Sequence, residues 1–390
     1  MLKMVDENPI TVEHVEAIAR EKLPAYVLDY YAGGADDQTA MKRNQTDFDR
    51  LFILPRVLRD VAQVKTSTNL LGHTYPLPIG IAPTAMQKLA HGEGELDVAR
   101  VAFSMGLNMT LSSNSTTSLE DVMSVNHHEA RVPFWFQIYM PSNQELIKPL
   151  LKRVEAAGYE ALVLTVDTPV LGNRINERLN PLVLPKGLKL SNIASLYGQK
   201  EGTPTSNRTL MNARSAKEAT EIRQAIGDGV HSASLTWRET IEFLRQNTSL
   251  KIILKGILAP EDADLAIEHG VDALIVSNHG GRQLDSAPST IQALPEIVAT
   301  VRNRIPVIFD GGIRRGSDVF KALAFGADFV LVGRPVLWGL AFNGRDGVET
   351  VVNILERELS RTMALSGAVS IRDINQSFLR RLEGGRLSKM

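Results

Sequence analysis

Cysteine is absent from this chain of 390 residues. Disulfides, thiolate metal ligands, iron–sulfur clusters and a cysteine nucleophile are therefore excluded, and any redox chemistry would need a cofactor. Charge of one sign is also lacking, because 43 Lys and Arg against 44 Asp and Glu give a formal net charge of -1. Neither a nucleic-acid footprint nor electrostatic attachment to a membrane is indicated. We expect the partner to be a small molecule.

Long apolar runs are missing as well. No run reaches the roughly 18 residues of a membrane span, and the first ten residues, MLKMVDENPI, have no apolar signal-peptide core. We expect a soluble, intracellular protein. The last three residues, SKM, resemble the peroxisomal address S-K-L, although three residues match easily by chance. The expected location is the peroxisome if this address is read and the cytoplasm otherwise.

Eight short apolar runs alternate along the chain with segments of helical period. The runs are LPIGIAP (77–83), MTLSS (109–113), FWFQIY (134–139), ALVLTVD (161–167), KIILKG (251–256), ALIVSNH (273–279), PVIFDGG (306–312) and FVLVGR (329–334). Eight strand–helix units predict an α/β fold, the closed (β/α)8 TIM barrel. A doubly wound open sheet is the alternative, but eight regular units favour closure.

Two segments lie outside these units. Residues 1–55 contain the helix-like pieces TVEHVEAIAREKL and ADDQTAMKRNQTDFDRLF. We expect them to form a helical extension on the bottom or flank of a barrel at 56–390. The second segment, residues 172–233, follows the fourth strand and is rich in Asn, Gly, Ser and Pro without a sustained period. Loops of this length are commonly functional lids or disordered; a membrane-binding insert is disfavoured because no long apolar face is present.

Polar or small residues follow nearly every strand, at the end where such barrels carry their active sites. Strands often become polar where they meet water, and this explains some of these residues. It does not explain why two cations, a histidine and an aspartate converge on one rim. The set is Pro83, Thr84, Ala85, Ser112, Gln137, Tyr139, Thr165, Asp167, Lys255, Ser277, His279, Asp310, Gly333 and Arg334. An active site at this rim is predicted.

Glycine-rich turns follow the seventh and eighth strands, as DGGIRRG (310–316) and GRPVLWG (333–339). Barrels commonly bind phosphate at this place, because free N–H groups and helix N-termini face an anion there. One such turn is a weak signal, since turns need glycine for positive φ. Two on neighbouring strands, each with arginine, predict a phosphorylated ligand.

Five motifs resemble the FMN-dependent 2-hydroxy-acid oxidase and dehydrogenase family, which includes glycolate oxidase, lactate oxidase and mandelate dehydrogenase. The motifs, in the family's order, are IAPTAMQKLAH, LTVDTPVLGNR, SNHGGRQLD, DGGIRRG and GRPVLWGLA, and the similarity runs from KLPAYVLDYYAGGADD to TMALSG. The resemblance implies FMN as cofactor, a 2-hydroxy acid as substrate and a homotetramer.

The same resemblance assigns three catalytic residues. His279 is the general base, Asp167 the carboxylate partner of its ring, and Lys255 a fixed positive charge near the flavin. Neutral imidazole suits proton removal near pH 7, although a lone histidine is more often structural. Whether the base takes the carbon-bound proton, or the hydroxyl proton as hydride leaves, stays open.

For the substrate, the resemblance points to Arg174 and Arg282, since guanidinium groups grip a planar carboxylate well. Tyr30 and Tyr139 resemble the family's two substrate tyrosines, and Tyr31 is the alternative core residue. For the cofactor, it implies that the flavin ring contacts Pro83, Thr84, Ala85, Ser112, Gln137, Thr165 and Ser277, that Asp310 binds the ribityl chain, and that the phosphate lies against Gly311, Gly312, Ile313, Arg314, Gly333 and Arg334.

Asn114 stands where plant glycolate oxidases carry a tryptophan facing the substrate, so the preferred hydroxy acid is left open. We expect O2 as acceptor and hydrogen peroxide as product, because the N-terminal region is too short for a haem domain and the long loop too polar to reach quinone. The alternatives are a dehydrogenase with another acceptor, an FMN-dependent isomerase or NAD(P)H-linked reductase, and a non-catalytic barrel that binds a phosphorylated metabolite. The absence of a G-x-G-x-x-G motif disfavours a dinucleotide site. The presence of His279 and the arginines disfavours the non-catalytic barrel.

Overall fold

The computed structural model describes residues 8–126, 131–194, 203–226, 231–383 and 386–389. Six short elements precede the barrel: α1 (Val12–Lys22), α2 (Ala25–Ala32), α3 (Thr39–Thr46), β1 (Leu51–Ile53), β2 (Thr68–Leu70) and β3 (His73–Tyr75). Thr11 caps α1 by accepting a hydrogen bond from the backbone N–H of His14, which is a common use of threonine. β2 and β3 form an antiparallel hairpin.

The predicted strands form one parallel sheet that closes on itself. They are β4 (Ile79–Ile81), β5 (Thr110–Ser112), β6 (Trp135–Ile138), β7 (Ala161–Thr165), β8 (Lys251–Ile257), β9 (Ala273–Val276), β10 (Val307–Asp310) and β11 (Phe329–Val332). Neighbours in sequence pair from β5 to β11, β11 pairs with β4, and a parallel bridge from Ile81 to Met109 closes the circle. The barrel is confirmed, and the open sheet is excluded.

Helices cover the barrel and interrupt the long loop. They are α4 (Glu95–Ser104), α5 (Leu119–Ser124), α6 (Lys148–Ala157), α7 (Ile175–Leu179), α8 (Ser206–Met211), α9 (Ala216–Ile226), α10 (Trp237–Asn247), α11 (Pro260–Glu268), α12 (Thr290–Val301), α13 (Gly316–Ala324) and α14 (Arg334–Ser366). Two C-terminal strands, β12 (Leu379–Glu383) and β13 (Arg386–Lys389), pair with each other, and β12 pairs with β1. Within the described ranges, no helix combines the length and apolarity needed to cross a bilayer.

The long loop, residues 172–233, is hereafter the lid loop. It contains the helices α7, α8 and α9, although its sequence shows no sustained apolar period. Neither α8 nor α9 has a buried residue. A search for an apolar face that packs into a core therefore misses them.

Side chains of the barrel strands alternate between two cores, as the period of a strand requires. On β7, Ala161 and Val163 point into the barrel, whereas Leu162 packs outward against the helices. Tyr75 of β3 belongs to the inner cluster, with its ring centroid 5.1 Å from that of Phe329. The β2–β3 hairpin therefore fills the N-terminal end of the barrel, and a site can form only at the other end.

The N-terminal helices occupy two different places. α1 packs against α14 on the barrel's flank, as predicted. The predicted bottom or flank position is wrong for α2 and α3, which lie at the C-terminal strand ends. The carbonyl groups of Tyr30 and Gly33 accept hydrogen bonds from Arg282, and Asn44 of α3 pairs with Asn278. These contacts are polar, so apolar periodicity could not reveal them.

Asn44 and Asn278 exchange two amide hydrogen bonds of 2.8 Å and are only 2% and 4% exposed. We expect Asn278→Ala to lower the free energy of unfolding by about 1–3 kcal/mol, because a buried amide loses its partner. Asn44→Ala should cost a similar amount. The double variant should lose less than the sum, since both single changes break the same pair. Denaturant unfolding measures the cycle, and strictly additive losses would contradict a direct link.

Candidate active site

A cavity opens at the C-terminal ends of the barrel strands, with an empty volume of about 1580 Å³ counted out to its mouth. Most of the site residues predicted from the sequence line it: Tyr30, Pro83, Thr84, Ala85, Ser112, Gln137, Tyr139, Thr165, Arg174, Lys255, His279, Arg282, Asp310, Gly311, Gly312, Ile313, Arg314, Gly333 and Arg334. Two others, Asp167 and Ser277, lie behind the wall and contact His279 and Lys255. Tyr31 lines the cavity as well.

His279 lies just after β9 in a strained turn. Its φ is 56°, and Gly280 and Gly281 follow with φ of 64° and 76°. Left-handed backbone is unfavourable for residues with a side chain, and the hydroxyl of Ser277 compensates by accepting the backbone N–H of His279 at 3.1 Å. A Cβ at position 281 would lie 2.5 Å from the backbone of Met41 in α3. Glycine is therefore required there, and the turn presents the imidazole to the cavity.

Asp167 fixes the orientation and tautomer of this ring. Its Oδ1 lies 2.8 Å from His279 Nδ1 and also accepts the hydroxyl of Thr168. Because Nδ1 must carry the hydrogen of this bond, the lone pair of the neutral ring is on Nε2, which lies 3.5 Å from the hydroxyl oxygen of Tyr139.

Burial and charge keep His279 neutral. Burial is the largest cause that lowers the pKa of His279; Asp167 opposes it, and the charge of Lys255 adds to it. Burial is the largest influence on Asp167 and would raise its pKa, but the hydrogen bond from His279, the charge of Lys255 and the hydroxyl of Thr168 outweigh burial and lower it. A neutral imidazole beside an ionised carboxylate is equipped to accept a proton.

Lys255 places a positive charge in the cavity wall. Its Nζ donates a 2.8 Å hydrogen bond to Ser277 Oγ and lies 3.4 Å from Asp310 Oδ2. All three side chains are buried. Ser277 thus joins the lysine to the backbone of His279.

A row of polar groups continues along the neighbouring strand ends. The hydroxyl of Ser112 donates to Gln137 Oε1 at 3.2 Å, and Gln137 Nε2 donates to Thr165 Oγ1 at 2.9 Å. These groups form a polar floor beside the lysine.

Arg174 and Arg282 meet at Glu177, which the sequence analysis missed. Arg174 Nη1 and Arg282 Nη2 lie 3.1 and 3.0 Å from Glu177 Oε1, and Glu177 is 3% exposed. Burial alone would raise the pKa of Glu177, but the charges of Arg174, Arg282 and Arg208 outweigh it and lower the pKa. Burial is the main cause that lowers the pKa of Arg282 to about 10, and the positive charge of Arg174 adds to it. Arg282 therefore stays cationic at neutral pH. The Arg-x-x-Glu spacing of Arg174 and Glu177 was the available signal.

The lid loop reaches over the cavity and supplies two residues that the sequence did not single out. Arg208 and His231 both line the cavity. The ring of His231 stacks on that of Tyr139, with centroids 4.2 Å apart and planes 13° apart. Burial is the main cause that lowers the pKa of His231 to about 3. No periodic pattern or motif surrounds either residue, so the sequence alone carried no signal for them.

Excess positive charge collects at the turns after β10 and β11. Arg334 donates to the carbonyl oxygens of Tyr31, Gly280 and Gly33 at 2.8 to 2.9 Å and pairs with no carboxylate among the described residues. Burial is the main cause that lowers the pKa of Arg334 well below its usual value, and the positive charges of Arg282 and Arg314 add to it. The pair of Arg314 with Glu16 is long, at 3.6 Å. Buried cations without a full counter-charge fit a bound phosphate.

Of the glycines in these turns, Gly312 is also required by a close contact that the sequence did not show. Gly312 has φ of 83°, and a Cβ there would lie 1.8 Å from the carbonyl oxygen of Asn44 in α3. A Cβ at Gly333 would make only ordinary contacts of 3.7 Å. Close packing of α3 therefore explains Gly312, and the phosphate argument is carried by the arginines.

Together these features describe a TIM barrel whose C-terminal rim holds a histidine bound to a carboxylate, a pair of arginines that share one glutamate, and an arginine without a carboxylate partner among the described residues. The family model described as FMN-dependent dehydrogenase matches residues 19–381. The chain is 44% identical over 370 residues to a 2-hydroxyacid oxidase of Dictyostelium discoideum, covering 95% of this chain and 90% of the relative. It is 44% identical over 372 residues to an L-lactate oxidase of Nostoc sp., covering 95% and 98%.

Among solved structures, mandelate oxidase with (S)-4-hydroxymandelic acid matches with a TM-score of 0.82 and 37% identity, over 97% of this chain and 98% of that chain. The chain belongs to the FMN-dependent dehydrogenase family, and its cofactor is FMN. The resemblance found from the sequence motifs is confirmed.

The fit of a phosphate to Arg334 can be tested by flavin binding. We expect Arg334→Met to raise the Kd for FMN by about tenfold or more, because a charged hydrogen-bond partner of the phosphate is lost. The Kd for riboflavin, which lacks the phosphate, should change much less. Quenching of flavin fluorescence on titration measures both constants.

The matched control is Arg315→Met. Arg315 is 41% exposed and pairs with Glu13 and Glu358, and it does not line the cavity. An equal loss of FMN affinity in both variants, or an equal loss of FMN and riboflavin affinity in Arg334→Met, would contradict a phosphate contact.

Proposed function

We propose that the protein oxidises an (S)-2-hydroxy acid to the 2-oxo acid and reduces O2 to hydrogen peroxide. The observation that carries this proposal is the His279 ring, held by Asp167 through Nδ1 with Nε2 facing Tyr139, in one cavity with the Arg174–Arg282 pair. The reaction balances as 2-hydroxy acid plus O2 giving 2-oxo acid plus H2O2.

The arginine pair would bind the carboxylate of the substrate. Arg282 donates hydrogen bonds to the carbonyl oxygens of Tyr30 and Gly33 and to the carboxylate of Glu177. A guanidinium has further N–H groups that could bind a ligand. Arg174 likewise uses only part of its donors. A carboxylate held there would be fixed next to the base.

His279 Nε2 then accepts a proton from the substrate, and ionised Asp167 stabilises the imidazolium that forms. The hydroxyl of Tyr139, 3.5 Å from Nε2, would hydrogen-bond the substrate hydroxyl, and Tyr30 would contact the substrate from α2. The arrangement serves removal of either the carbon-bound or the hydroxyl proton.

FMN, when bound, accepts the two electrons and passes them to O2. Lys255 would place its charge beside the ring, where negative charge builds up. We assign the other contacts in three groups: Pro83, Thr84, Ala85, Ser112, Gln137 and Thr165 to the ring, with Ser277 behind the wall as the partner of Lys255; Asp310 to the ribityl chain; and Gly311, Gly312, Ile313, Arg314, Gly333 and Arg334 to the phosphate.

We also propose a homotetramer and, on the C-terminal SKM, a peroxisomal location. One relative, 42% identical over 388 residues, is named a peroxisomal (S)-2-hydroxyacid oxidase of Arabidopsis thaliana. Ser388 and Lys389 lie in β13, and Met390 lies outside the described residues.

A substrate panel tests the proposal. Hydroxy acids of increasing chain length are assayed for peroxide under air and for dye reduction without oxygen. We expect stoichiometric peroxide under air with at least one (S)-2-hydroxy acid. Dye reduction without peroxide would instead favour a dehydrogenase with another acceptor.

The base is tested by His279→Gln, with His14→Gln at an exposed position as control. We expect His279→Gln to retain bound FMN but to lose about 100-fold or more in kcat, which is typical for loss of a general base. The control should match the wild type. Steady-state kinetics together with the flavin absorbance give both readouts, and near-normal turnover of His279→Gln would refute the assignment.

A further inference from the structure

Arg208 of α8 is the third guanidinium at Glu177. Its Nε lies 3.2 Å from Glu177 Oε2, and its side chain is only 11% exposed. Its guanidinium carbon lies 4.8 Å from the ring centroid of Tyr30, which Arg282 approaches to 4.9 Å. The lid loop therefore delivers a cation to the place where the substrate would lie.

The two oxygens of Glu177 are divided among the three arginines. Oε1 forms ion pairs with Arg174 and Arg282, and Oε2 forms an ion pair with Arg208. Three positive charges thus surround one negative charge. A single substrate carboxylate held by Arg174 and Arg282 leaves Arg208 beside it, with N–H donors beyond those used on Glu177 and Tyr30.

The chain segment that carries Arg208 brings further polar groups to the cavity. The preceding Thr205, Ser206 and Asn207 line the same cavity, and so does Asn114 of the strand β5 exit. Hydroxyl and amide groups can donate to a carboxylate. Leu190 and Ile193 also line the cavity and could pack against the short methylene link between two acidic groups.

We propose that Arg208 is the centre of a subsite for a second carboxylate, so that the preferred substrates are short 2-hydroxy diacids. This proposal rests on the proposed function and specifies its substrate class. The reaction keeps the same balance: 2-hydroxypentanedioate plus O2 gives 2-oxopentanedioate plus H2O2. Arg208 binds the terminal carboxylate and takes no part in the proton transfer at His279.

The test compares two substrates of equal length, (S)-2-hydroxypentanedioate and (S)-2-hydroxypentanoate, which differ only in the terminal carboxylate. The readout is the ratio of kcat/KM for the diacid to that for the monoacid, measured as peroxide release by the FMN-loaded protein. In the wild type we expect a ratio above one. A ratio below one overturns the subsite, whatever the variants do.

Two variants of Arg208 test whether the preference for the diacid depends on this side chain. Arg208→Met should lower the ratio by about tenfold or more, since a charged hydrogen bond to the second carboxylate is lost, with the loss mainly in KM. Arg208→Lys keeps the charge and should retain part of the ratio. Arg223→Met removes an exposed lid arginine on α9 and should leave the ratio unchanged.

If Arg208 only holds the lid loop in place, the variants give a different result. In that case Arg208→Met lowers kcat/KM for both substrates by the same factor, and the subsite is overturned. Oxidation of the monoacid with no activity on the diacid overturns the subsite and leaves the proposed function intact. Absence of oxidation of any 2-hydroxy acid, with FMN bound, overturns both.

Discussion

The hydrogen bond between Asp167 and His279 is the interaction on which the site depends. It selects one tautomer, leaves Nε2 to face Tyr139 and the cavity, and places a negative charge where imidazolium would form. Three structural features serve it. The barrel brings the exits of β7 and β9 to one rim, the left-handed turn at His279 presents the ring, and Ser277 ties that turn to Lys255. His279 and Lys255 are thereby part of one hydrogen-bonded unit.

Around this unit the cavity is strongly cationic. Six Lys and Arg side chains and one acidic side chain line it, and the acidic one, Asp310, is paired with Lys255. The other five cations are Arg314 and Arg334, which follow β10 and β11, and Arg174, Arg208 and Arg282, which lie around Glu177. Arg282 and Arg334 both donate to the carbonyl oxygen of Gly33, so the two groups are adjacent. Burial of cations is costly unless an anion compensates them. We propose that the phosphate of FMN and the carboxylate of a hydroxy acid supply this compensation.

Much of this was predictable from the sequence, for identifiable reasons. The barrel follows from eight β-rich runs at regular spacing, and the rim from polar residues after them. The motif around His279 predicted the place of this ring in the cavity, because its glycines and Arg282 are adjacent in sequence. Long-range polar contacts were not predictable. Arg208 and His231 lie in the lid loop without a periodic pattern or motif, and α2 reaches the rim through backbone carbonyl groups. Gly312 was noticed in the sequence, but its close contact with the carbonyl of Asn44 could not be.

The protonation state of His279 tests the central claim most directly. Nitrogen NMR of 15N-histidine-labelled, FMN-loaded protein, with the His279→Gln spectrum to assign the resonance, reports both ring nitrogens as pH is lowered. The account predicts a neutral ring at pH 7, protonated on Nδ1, that accepts its second proton only below the usual pKa of about 6.5. A ring already charged at pH 7, or a neutral ring protonated on Nε2, would contradict it.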